Sequence, residues 1–163
     1  MATLKDLQKL LNKAIEEIPE QAIKIVEVEG LNFIKKNFQD QGFNDNGLEK
    51  WKPRKTTDRQ GRDLTRYRTN RIGSRGSLTK FGLKEQGRAI LTGHNTGGDK
   101  LRNSFKASRD KLQVTFYTYK DYAEYHNEGT SELPQRQFIG KSAYLENKIK
   151  EKIRKTLDQF LKK

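Results

Sequence analysis

From residue 40 to residue 88 the chain loses all apolar periodicity. Thirteen lysines and arginines between Lys50 and Arg88 face only Asp58, Asp63 and Glu85, a net +10 of the chain's formal +13. Gly42, Gly47, Gly61, Gly73, Gly76, Gly82 and Gly87 punctuate the same stretch. A stretch this long without periodicity is uncommon inside a compact domain, where it usually carries function or moves. At 163 residues the chain suits one domain. The expectation is a single domain over 1–163, with 43–88 a long basic loop or insertion.

Before the gap, Leu4, Leu7, Leu11, Ile15 and Ile18 recur at helical spacing, and Thr3 with Asp6 resembles a capping pair. Pro19 interrupts, after which Ala22, Ile23, Val26, Leu31, Ile34 and Phe38 continue the stripe. This predicts two consecutive helices or one kinked helix, ending near Gly42, with Gly30 a weak point. After the gap, Leu101 to Phe105 and Leu112 to Tyr119 read as two strands joined at Arg109-Asp110-Lys111, the second alternating apolar and polar. Tyr122 to Asn127 reads as a short helical turn stopped by Gly129. From Ser142, Leu145, Ile149, Ile153, Leu157 and Leu161 repeat every four residues between lysines, an amphipathic helix. The fold class expected is α+β: long N-terminal helices, a small antiparallel sheet, an amphipathic C-terminal helix and a long basic loop.

Composition narrows the chemistry. The hydrophobic share is only 32%, so part of the chain lies outside any core. With no cysteine there is no disulfide framework, thiolate metal site or cysteine nucleophile, which suits an intracellular environment. The opening MATLKDLQKLLNKAIEE interleaves charge with leucine where a signal peptide needs an unbroken apolar run, and no stretch approaches a membrane span. A soluble, unsecreted protein without membrane contact is expected.

His94-Asn95 and His126-Asn127 suggest a metal-dependent nuclease only on paper, because the clustered histidines and carboxylates such a site needs are not framed around them. Read plainly, His94 is a loop residue and His126 a partly buried residue bonded to local backbone. Glu124, Glu128 and Glu132 surround His126 in sequence, yet nothing in the spacing demands acid-base catalysis. The glycines of "TGGDK" lack phosphate-loop spacing and read as turn formers. No enzyme, cofactor or metal is expected. The basic segment is the strongest signal. Arg54, Lys55, Arg59, Arg62, Arg66, Arg68, Arg71 and Arg75 are candidates for contact with nucleic acid or an acidic protein partner, with Trp51, Tyr67 and Phe81 available to stack on bases. Charge alone does not choose between those partners.

Three further stretches, taken in order, carry a resemblance. They are Trp51 and Pro53; Ile90-Leu91-Thr92-Gly93 followed by Leu101-Arg102-Asn103-Ser104; and Tyr122-Ala123 with His126 and Gly129, then Pro134, Arg136, Phe138, Gly140 and Ser142. Together they resemble the phage virion morphogenesis family of tail-completion and head-tail neck proteins, over about residues 31 to 160. The stretch from Arg54 to Gln86 is longer and more basic than the family's usual loop, so nothing about it is inherited. The resemblance implies a non-enzymatic virion component assembled in the bacterial host cytoplasm, a homo-oligomeric ring that completes the tail or joins head and tail. Its implied partners are other neck, tail or connector proteins; the basic loop, which the resemblance does not cover, then faces either channel DNA or an acidic surface of a neighbouring ring. It also implies that 122–142 is structural: Tyr122, Ala123 and Tyr125 packing a turn under the sheet, Gly129 reversing the chain, and Phe138 filling the core. His126 would bond to hold the loop, and Arg136 would fork onto a carboxylate or backbone carbonyls. The alternative function is a nonspecific nucleic-acid-binding module using 50–88.

Overall fold

The computed structural model describes residues 4–53, 60, 79–80, 83, 89–92 and 99–162, with only the backbone of 4–7 and 9–11. It is an α+β arrangement. The apolar stripe at the amino end forms one continuous helix, α1, over Leu4–Asp40, and Pro19 neither ends nor divides it. A proline inside a helix forfeits the bond to the carbonyl four residues back, and because Pro19 is exposed, water can replace the missing donor.

Gly30 does not weaken α1; it is where a strand pair lies closest to the helix. A Cβ built there would come 2.1 Å from the Phe116 ring, so only glycine leaves room for that ring. Gln41 then takes a left-handed φ of 55 and ends the helix, the position glycine more often fills. Its side chain binds the chain beyond the basic segment, donating to Phe38 O at 2.6 Å and to Ile90 O at 3.2 Å while accepting from Ile90 N.

Two strands follow inside the stretch expected to be loop. β1 (Gly42–Asn44) pairs antiparallel with β2 (Leu48–Lys50), Phe43 opposite Glu49, around Asp45-Asn46-Gly47. Leu101–Ser104 corrects a second expectation, forming a helical turn, α2, instead of a strand. Leu101 and Ser104 are both buried and lie three residues apart, which is helical spacing, and Ser104 Oγ donates to Leu101 O at 2.8 Å. The strand begins after it: β3 (Lys106–Arg109) pairs with β4 (Val114–Tyr117), with Ala107 opposite Phe116. Among the described residues there are thus two separate two-stranded sheets. A short helix, α3 (Ala123–Glu128), and the amphipathic helix α4 (Ala143–Leu161) complete the order.

The core gathers at the carboxyl end of α1. Phe38 sits at its centre, edge-on to Trp51 at 5.4 Å, stacked on Phe138 at 5.2 Å and tilted against Phe105 at 6.1 Å. α4 runs back along α1, since Tyr144 stacks near Phe33 while Lys148 and Lys152 both reach Glu29. Glu29 is 1% exposed. Burial pushes its carboxyl up, but hydrogen bonds from the two lysines outweigh that and hold it below the ordinary carboxylate value.

The contact at Gly30 is testable. Gly30→Ala is expected to destabilise the protein by about 1–3 kcal/mol in urea unfolding, because the added methyl overpacks the Phe116 ring. Phe116→Leu in the same chain should recover part of that loss. A gain of about 1 kcal/mol, as at an exposed helix glycine, would show that the strand pair is not seated there.

Candidate functional site

Residues 122–142 fold as a tight excursion that leaves the core and returns to it. Ala123 is the buried residue of α3, and at Gly129 the chain turns with φ 79 while its N–H closes onto Tyr125 O at 3.0 Å. A side chain at Gly129 would add strain in that conformation and press on Gln135 N at 2.8 Å. Thr130 Oγ1 then accepts from Leu133 N at 3.0 Å, and Thr130 N donates to Leu133 O at 2.8 Å, which turns the chain back. The returning chain is caught by Arg136 N, which donates to His126 O at 2.8 Å. Asn127 Oδ1 accepts from both Phe138 N and Ile139 N at 3.0 Å.

The same segment is fastened to the rest of the molecule through its carbonyls. Phe138 O accepts from Asn37 Nδ2 at 3.1 Å, and Gln137 O from Trp51 Nε1 at 2.7 Å. Arg136 is buried and its Nε donates to Lys52 O at 3.3 Å, a backbone carbonyl contact. Ser142 caps α4, accepting from Leu145 N at 3.1 Å and donating to Asn44 O at 2.7 Å. Phe138, 1% exposed, fills the core as expected, and Ser104 is buried with its hydroxyl also against Thr118 Oγ1.

Three expectations need correction. Tyr122 and Tyr125 do not pack under a sheet; they are 44% and 56% exposed, because α3 is one short turn with Ala123 and not the tyrosines on its buried side. Trp51 is unavailable to stack on bases, since its ring is 7% exposed against Phe38 and its N–H is committed to Gln137 O. Pro53, to which the sequence assigns no packing role, is exposed at the edge of the described residues. His126 does not hold the loop through its ring, for its buried Nδ1 has no hydrogen-bond partner among the described residues and the neighbouring Asn127 does that work. Asn37 and Asn127 were not singled out from the sequence. Asn37 could have been, as a polar residue among Phe33, Ile34 and Phe38 on the buried helix face.

Gly93, His94, Tyr67, Phe81 and the basic candidates Arg54, Lys55, Arg59, Arg62, Arg66, Arg68, Arg71 and Arg75 lie outside the described residues. Glu124, Glu128 and Glu132 are exposed, and among the described residues no three histidines or acids converge as metal ligands. No family model, curated protein or solved structure matches the chain.

Burial, and then the charge of Arg136, holds the His126 imidazole below its ordinary value, so the ring is neutral in the folded protein at neutral pH. Unfolding restores the ordinary affinity for a proton. The stability this contributes is therefore complete above the unfolded value and is lost as pH falls toward the folded one. Between about pH 7 and about pH 5, urea midpoints should fall for the wild type and stay nearly flat for His126→Gln. Equal slopes in the two proteins would remove His126 as the cause.

Proposed function

We propose that the chain is a non-enzymatic structural protein of phage virion morphogenesis, which assembles as a ring and completes the tail or joins head and tail. The observation that carries this reading is the use to which the motif residues are put. Gly129 turns the chain, Phe138 fills the core, and Trp51, Arg136 and Ser142 each donate to a backbone carbonyl. A segment so committed builds a rigid body, and a rigid body suits an assembly unit whose surfaces do the work.

On this reading the protein is a virion component put together in the bacterial host cytoplasm, with other neck, tail or connector proteins as partners. Ring closure needs a head-to-tail contact between two different surfaces of the protomer. The basic stretch 50–88 then faces either the DNA of the channel or an acidic neighbour. The alternative of a nonspecific nucleic-acid module keeps its charge argument, but it loses Trp51 as a stacking group.

Light scattering during size exclusion, over a concentration series, tests the proposal. A discrete higher oligomer whose mass does not change with dilution is expected, and a protomer mass throughout, phage neck partners included, would overturn it.

A further inference from the structure

In a chain of net charge +13, one short helix is acidic and aromatic. Glu124 and Tyr125 lie one turn from Glu128 on α3, and Asp121 and Tyr122 stand just before the helix. All five are exposed. From Asp121 to Gln135 there is no lysine or arginine, and Lys120 just before is held by Asp99 at 2.6 Å.

The carboxylates of this face have no ion pair among the described residues, as is also true of Glu16, Asp45, Glu49, Asp110 and Asp158. Glu17, Glu20, Glu27, Glu29, Asp40 and Asp99 each meet a lysine or arginine. Asp121, Glu124, Glu128 and Glu132 meet none among the described residues. Glu124 and Glu128 repel each other weakly at one helical turn. Among the described residues none pairs with this row, and two exposed tyrosines beside it have the make-up of a protein-binding surface.

We propose that the tyrosine face of α3 docks the arginine-rich segment 54–88 of a second copy of this chain. The inference rests on the assembly reading above and names the two surfaces that would meet. Charge complementarity selects the occupant, since 54–88 carries eleven lysines and arginines against three acids, eight of the eleven being arginine. Arginine is the cation suited to such a face, because its planar fork pairs with carboxylates and also stacks on tyrosine rings. The face and the segment are different parts of the protomer, so each copy offers one to the neighbour ahead and the other to the neighbour behind. That is the contact a closed ring requires.

Charge reversal in the full chain tests the pairing. E124K/E128K alone and R66E/R68E/R71E alone should each fall to the protomer mass by light scattering, with circular dichroism unchanged. Mixed one to one they should assemble again, since each then offers the charge the other lacks. Tyr125→Ala, which leaves charge alone, should weaken association by about tenfold or more. Variants that keep the wild-type mass, or a mixture that stays protomeric, would overturn the contact while leaving a ring built through other surfaces intact. A wild type that stays protomeric throughout, phage neck partners included, would overturn both readings. A mixture whose mass climbs with concentration without a plateau would support the contact and overturn the closed ring.

Discussion

One buried amide sets the register of the molecule. Asn37 is 0% exposed in the middle of an aromatic core, and every polar atom of its side chain is used. Nδ2 donates to Phe138 O, while Oδ1 accepts from Asn44 N at 3.0 Å and from Asn44 Nδ2 at 2.8 Å. Leaving such a group unpaired in the interior costs about 1–3 kcal/mol, so α1, the β1–β2 hairpin and the returning 122–142 segment are held at fixed mutual positions. From Asn44 the chain of bonds continues, since Asn44 O accepts from Ser142, the residue that starts α4. The rings of Phe38, Trp51, Phe105 and Phe138 then close around a frame already in place.

The second constraint acts farther up α1. Glu29 is a buried charge met by two lysines of α4, and Gly30 beside it admits the Phe116 ring. Burying a carboxylate is unfavourable unless its partners are well placed, so the pair of lysines favours one alignment of α4 on α1. Helix and strand pair thus meet neighbouring positions of α1 by different means, one through charge and the other through shape. The result is a stiff spine with its packing concentrated in its carboxyl half.

What the sequence disclosed, and what it hid, follows from the range of the interactions. Gly129 as a stop, Ser142 as a start and the four-residue repeat of α4 were legible because capping and amphipathicity are written within a few residues. The β1–β2 hairpin was not, since strands of three residues are too short for alternation to show. Leu101–Ser104 was misread because Leu101 and Phe105 also fit an alternating pattern, and only the burial of Ser104 reveals the helical turn. Gly30 looked like a flaw in α1 until Phe116, far along the chain, occupied the space. Within 122–142 the fixed spacings point to His126, whereas Asn127 and distant Asn37 hold the segment. The exposure of Tyr122 and Tyr125 depends on which side of α3 meets the core, and the sequence of so short a helix does not say.

The central claim is that 122–142 is part of the rigid frame. Hydrogen exchange at the amides of Arg136, Phe138 and Ile139 tests it most directly, because those three are bonded to His126 O and Asn127 Oδ1. The account predicts that they exchange as slowly as the buried amides of α1 around Asn37, opening only when the whole domain unfolds. Fast exchange at all three, with α1 still protected, would show a segment that moves independently and would contradict the account.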